Sequence, residues 1–281
     1  MHGLMREDRR TPVLYSTPIN FFTNMPTPTT TFWKDRFTAS GIHLGISLTV
    51  ALLAALLVFG LWYPYPYREM SGGRELFLIV VAVDVILGPL ITLAVFNRAK
   101  PLRELKRDLV MVALIQLGAL GYGIWTVFVA RPVHMVFEYD RFRVVHAIDV
   151  PAELLRRTPP DVVALPLTGP TLLSLRPFKD ANEKMDATMA ALGGLSLSAR
   201  PDLWQTYGAA KSDIWQAAKP VSELKARFAM RAAEIDAAIA KTGRKPEALV
   251  YLPLVGRKSF WTVLLDPTTA DVLGFLPIDS F

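Results

Sequence analysis

The chain has no cysteine and only four histidines among 281 residues. The first absence rules out disulfides, thiolate metal sites and a cysteine nucleophile, so any folded region must be held by its own core. The histidines are His2, His43, His134 and His146. The last two fall in one predicted hairpin, pointing to opposite faces, so they are not expected to share a metal. The sequence also lacks a glycine-rich phosphate loop, a nucleophile elbow and an acidic cluster. Neither a catalytic residue nor a cofactor is predicted. Charge is unevenly placed: the net charge is +6, yet residues 131–281 carry 19 Lys/Arg against 17 Asp/Glu and no basic run, which argues against nucleic acid as a partner.

What the sequence has in abundance is apolar character, 52% of residues with a mean hydropathy of +0.30. Three windows are long enough to cross a bilayer, residues 41–62, 76–96 and 109–130. The first starts too late and runs too long for a secretory signal, so it reads as a retained anchor. It ends in Trp62, Tyr63, Tyr65 and Tyr67, amphipathic rings suited to the headgroup region. "GIHLG" places Gly41 and Gly45 at the spacing of close helix packing. Basic residues flank the windows asymmetrically. Arg6, Arg9, Arg10, Lys34 and Arg36 precede the first window, and Arg98, Lys100, Arg103, Lys106 and Arg107 lie in the second connection. The first connection has only Arg68 and Arg74. Positive-inside bias then puts the N-terminus in the cytoplasm and everything after Ala130 in the periplasm of a bacterial inner membrane, with lipid contacting the basic flanks.

The expected fold is a membrane protein of three transmembrane α-helices followed by a periplasmic α+β domain with a mainly antiparallel sheet. Residues 1–36, rich in Pro and Thr, are expected to be a disordered cytoplasmic tail. Residues 37–130 form the membrane domain and 131–281 the periplasmic domain. Within the latter, "RPVHMVFEYDRFRVVHAIDV" predicts a hairpin turning at Asp140-Arg141, with Met135, Phe137, Tyr139, Phe142, Val144 and His146 on one face. Residues 220–243 predict one amphipathic helix capped by Ser222 and ended by Gly243. Shorter helices are expected near 180–192 and 212–218, and two or three strands with turns at 256–258 and 266–268 close the chain.

Asp84 is the one charged residue in the three windows. A carboxylate at membrane depth costs about 2.5–3.5 kcal/mol on insertion scales, which makes function the default reading. Pro89 has no amide hydrogen and leaves the Val85 carbonyl without its helical donor, while Gly88 shares the face of Asp84. Together they predict a polar notch in a kinked helix. Tyr122 lies at comparable depth in the third window, and Gln116 lies several Å deeper. A Tyr122–Asp84 bolt between helices, a docking notch for another protein's helix, and a proton relay are the three readings.

Five segments in order, "FTASGIHLGISL", "LWYPYP", "VDVILGPLITLAVFN", "RDLVMVALIQLGALGYGIW" and "ARPVHMVFEYDRFRVV", resemble the TfpX/TfpZ family of type IV pilin accessory proteins. The likeness runs from about Phe37 to the end, departing at the long N-terminal tail and at "DPTTAD". It implies a non-enzymatic inner-membrane protein that binds or stabilises a type IV pilin, through its membrane helix and periplasmic head, and promotes or modulates pilus assembly. Other assembly proteins are further expected partners. The alternatives are a membrane-anchored enzyme that modifies pilins or envelope sugars, and an extracytoplasmic ligand sensor. The first would show clustered carboxylates or histidines, and the second a cytoplasmic output module.

Overall fold

In the computed structural model residues 30–281 are described. Three helices are long and apolar enough to cross a membrane, over Phe32–Trp62, Gly73–Val95 and Leu102–Val129. The first, α1 (Thr30–Leu57), continues through a π-helical turn, Val58–Trp62. Residues 30–36, expected in the tail, are thus helical; the rest of that segment lies outside the described residues. A one-turn helix, α2 (Tyr67–Met70), sits in the first connection. The second long helix is α3 (Gly73–Ala82), a π-helical turn Val83–Leu87, and α4 (Gly88–Val95); α5 (Leu102–Val129) is the third. Leu52, Leu53, Leu56, Leu114 and Ile115 are exposed on their outer faces, as a bilayer requires.

Beyond α5 the strands β1 (Pro132–Glu138), β2 (Arg141–His146), β3 (Thr171–Leu175), β4 (Trp204–Thr206), β5 (Lys219–Pro220), β6 (Val250–Val255), β7 (Phe260–Leu265) and β8 (Val272–Leu276) form one sheet. Its order is β4-β3-β1-β2-β6-β7-β8, with β5 also on β6. The pairs β1–β3 and β2–β6 are parallel and the others antiparallel. The helices α6 (Ala181–Leu192), α7 (Lys211–Ala217), α8 (Val221–Arg227) and α9 (Ala232–Thr242) pack around it. The fold is the expected membrane-anchored α+β arrangement.

Local differences have physical causes. The β1–β2 hairpin turns at Tyr139-Asp140, one residue earlier than expected, with Tyr139 at φ 60°. Phe137 therefore faces Phe142 and Met135 faces Val144, two positions from the expected register. A slip of two keeps the faces, so Met135, Phe137, Phe142 and Val144 do share one core. Tyr139, by contrast, sits exposed in the turn. The helix expected over 220–243 breaks into α8 and α9 at a 3-10 turn over Ala229–Arg231; Ser222 is not its cap, because Pro220 takes that position without a side-chain bond. Gly243 ends α9 in the left-handed region, as expected.

Two residues of the first connection, Tyr67 and Met70, belong to the C-terminal core, and Tyr63 packs with Val58, Phe77 and Val127 at the helix ends. Tyr67 and Met70 pack with Met135, Phe142, Leu254 and Trp261, and Tyr63 is fully buried, donating to the Val127 carbonyl at 3.1 Å. Burying a side chain of this size contributes about 1.5–3 kcal/mol, so the loop between the first two long helices clamps the domain against them. Backbone bonds reinforce the clamp, from Lys258 N–H to the Met70 carbonyl at 2.8 Å and from Gly169 N–H to the Leu61 carbonyl at 2.6 Å.

His134 is a core histidine held neutral. Its Nε2–H donates to the Ala164 carbonyl at 2.9 Å, the Thr171 hydroxyl donates to Nδ1 at 2.7 Å, and the ring lies edge-on to Trp204. Burial pulls its pKa from 6.5 down to about 4. In the unfolded chain the ring protonates near 6.5, in the folded chain only near 4, so the unfolded state binds more protons between those values. Stability is complete above pH 6.5 and falls as pH drops through that window, by roughly 3 kcal/mol from this residue. Denaturation followed from pH 7 to pH 4 is expected to show this slope in the wild type and to lose much of it in His134→Gln; an equal slope in both would refute the assignment.

Candidate intramembrane docking site

Asp84 lies within the π-helical turn Val83–Leu87, directly before Gly88 and Pro89. Pro89 withholds one donor from the helical ladder, and the widened turn is how the helix absorbs the loss. Asp84 is half-buried and lines the seam between the second and third long helices. Two cavities meet there. One, of about 390 Å³, runs between the second and third long helices and is walled by Ile79, Val83, Ile115 and other apolar side chains, with Asp84 and Gln116 among its few polar groups. The other, of about 180 Å³, brings Asp84 and Gln116 together with His43 and Ser47 of α1.

Gly88 opens the notch, but to side chains rather than to a backbone. A Cβ there would collide with the Gln116 amide and lie 3.2 Å from His43 Nε2. Gln116 Nε2 is buried and has no hydrogen-bond partner among the described residues. The neighbouring helix α1 supplies polar groups at i, i+3 and i+7. Ser40 donates to the Pro89 carbonyl at 2.8 Å, His43 Nδ1 meets the Thr92 hydroxyl at 2.5 Å, and Ser47 is buried. These residues were not legible as a group, because on separate helices each is an ordinary polar residue. Only the spacing of Ser40, His43 and Ser47 hinted at a shared face.

Tyr122 does not bolt to Asp84. It is 74% exposed, and no hydrogen bond joins the two among the described residues, although both line the larger cavity. The cause is helical phase. Gly123 is the residue that meets the second helix, where an added Cβ would overlap Val80. Gln116, two turns earlier, shares that face, while Tyr122 is turned about 100° away. Phase also corrects the expectation for Gly41 and Gly45: among the described residues an added Cβ at either would meet nothing within 4 Å, because the packed stripe is Ser40, His43 and Ser47. The arrangement places a carboxylate and an amide in a mostly apolar slot between the long helices. Among the described residues no group of three or more His, Cys, Asp or Glu could hold a metal.

Comparison with known proteins gives the family. A fimbrial assembly protein of Dichelobacter nodosus, serogroup I, is 36% identical over 254 residues, 88% of this chain and 98% of that protein. The serogroup E1 protein is 34% identical over the same extent. The chain belongs to the fimbrial assembly protein family. The protein of serogroups C1 and C2 is 43% identical over 121 residues, 42% of this chain and 92% of that protein. The family model, fimbrial assembly protein FimB, matches residues 31–72. In this fimbrial assembly protein that segment holds Ser40, His43, Ser47 and the connection buried under the sheet; Asp84, Gly88 and Gln116 lie beyond it. No solved structure matches the chain.

Proposed function

We propose that the chain is a non-enzymatic accessory protein of type IV pilus assembly, of the TfpX/TfpZ kind, that receives a pilin subunit before it enters the fibre. The pilin's membrane helix docks in the slot at Asp84, and its head meets the C-terminal domain. The observation that carries this reading is the half-buried carboxylate set in a π-helical turn and lining an apolar cavity between the second and third long helices. A helix N-terminus carries unpaired N–H groups and partial positive charge, which a carboxylate in lipid would recognise. The family's name and the three long apolar helices support a role in fimbrial assembly at a membrane. The basic flanks favour a bacterial inner membrane with the N-terminus cytoplasmic and the C-terminal domain periplasmic.

A strain lacking the chain is expected to lose most of its surface pili and regain them with the wild-type gene. Reporter fusions after Lys100 and Asp149 should read cytoplasmic and periplasmic respectively. Normal piliation without the chain would remove the function, and a cytoplasmic reading at Asp149 would remove the topology.

A further inference from the structure

The strands β2 and β6 pair in parallel only at Phe142–Leu254 and Arg143–Val255, then part, and a crevice of about 340 Å³ opens beyond their carboxyl ends. Its polar lining holds two arginines, a histidine and a serine beside the Asp149 carboxylate. Arg143 of β2, Arg257 in the turn after β6 and Ser196 all line it. Each arginine commits one nitrogen to a carboxylate, Arg143 Nε to Glu138 at 3.0 Å and Arg257 Nη2 to Asp149 at 3.1 Å, and has further N–H donors in its fork.

His146, also in the lining, is 1% exposed. Its Nδ1–H donates to Asp149 at 3.1 Å, which fixes the ring and leaves Nε2 on the opposite side. Neither His146 Nε2 nor the Ser196 hydroxyl, both buried, has a partner among the described residues. Leaving such groups unmatched costs about 1–3 kcal/mol apiece, so a crevice that gathers two of them beside two guanidinium groups is built for something. Asp149 stays ionised beside them: burial works upward on its carboxyl, but the bond and charge of His146 and the charge of Arg257 outweigh it and hold its pKa below the ordinary value.

The position narrows the ligand. Arg257 follows Gly256 in the turn that rests on Met70, the adjacent Lys258 pairs with Glu75 at the start of α3, and the Arg257 charge acts on Tyr63 at the end of the first long helix. The crevice therefore lies where the C-terminal domain meets the ends of the long helices.

We infer that the crevice between β2 and β6 is a binding site for a phosphate group, held by Arg143, Arg257, Ser196 and His146. The arginine forks bind phosphate oxygens in pairs, the serine hydroxyl donates a further bond, and the imidazole either accepts from a protonated oxygen or, itself protonated, donates to a bare one. The source is a phospholipid headgroup or a soluble phosphate, and the site is separate from the pilin slot.

The test uses the full chain in nanodiscs. Inorganic phosphate is titrated into phosphatidylcholine discs, and retention of phosphatidylglycerol is counted by native mass spectrometry from mixed discs. Arg257→Gln, on an exposed turn, and Ser196→Ala are compared with wild type after each is shown to unfold at the wild-type temperature; Arg143→Gln replaces either one that fails to fold. The wild type should bind at least one probe, and Arg257→Gln should weaken that binding about tenfold or more. Selective retention of phosphatidylglycerol names the lipid as source, and saturable phosphate binding names a soluble one. No binding of either probe, or equal binding by all folded variants, overturns the site.

Discussion

Asp84→Asn protein is expected to accumulate and insert like the wild type while supporting few surface pili. Asparagine keeps the shape and much of the hydrogen bonding but cannot ionise. If the slot recognises the positive end of a helix, loss of the charge removes a bond of the charge-assisted kind, about 1.5–3 kcal/mol, or roughly ten- to a hundredfold in pilin affinity. Asp84→Leu sharpens the argument. Among the described residues Asp84 makes no hydrogen bond within the chain, so leucine should relieve the insertion cost of about 2.5–3.5 kcal/mol and leave the protein at least as stable while abolishing piliation. Quantitative blots and sheared-pilus yields from the two variants check this. A fall in protein level with leucine, together with normal pili with asparagine, would make the residue an internal fastening and not a docking group.

Gly256→Ala is expected to unfold the junction between the helices and the C-terminal domain. An alanine Cβ would lie 2.7 Å from the Ser259 carbonyl oxygen, 2.8 Å from Met70 Cβ and 2.9 Å from the Met70 carbonyl oxygen. Two of the three are backbone atoms held by the turn and the clamp, including the acceptor of the Lys258 N–H bond, so neither can swing aside. Forcing in that one methyl should cost about 2–3 kcal/mol, a fall of roughly 5–10 °C in melting temperature for a domain of this size. Glycine at 208, where an added Cβ meets no atom within 4 Å among the described residues, is the control, and Gly208→Ala should melt near the wild type. Equal melting of Gly256→Ala and Gly208→Ala, measured by circular dichroism in detergent, would show that the turn does not bear on Met70.

The three long helices were legible because apolar windows of that length have few other homes, and the lone charge in them drew attention to Asp84. Its true neighbours were not, since depth along a helix places a residue but not its azimuth. Tyr122 matched Asp84 in depth, yet Gly123 and Gln116 hold the facing side. The aromatic run after Trp62 misled for a related reason, because rings that suit a headgroup layer suit a protein core equally well. Tyr63 and Tyr67 went into the core while Tyr65 stayed out. In the C-terminal domain alternation gave the faces of β1 and β2 correctly. The turn escaped because Tyr139 is no turn former. The break between α8 and α9 escaped because Leu224, Ile235 and Ile239 stay buried on one side of it. The strands β3 and β4 are short and show no alternation, so nothing in the sequence marked them.

The central claim, that a pilin helix enters the slot beside Asp84, is tested most directly by site-specific photocrosslinking in living cells. A photoreactive residue at Ile115, in the wall of the larger cavity, is compared with one at Leu53, exposed on the first long helix away from it. The account predicts a crosslink to the pilin from position 115 that is strong in the wild-type background, nearly absent with Asp84→Asn, and absent from position 53. Equal crosslinking from both positions, or a position 115 product unaffected by Asp84→Asn, would contradict it.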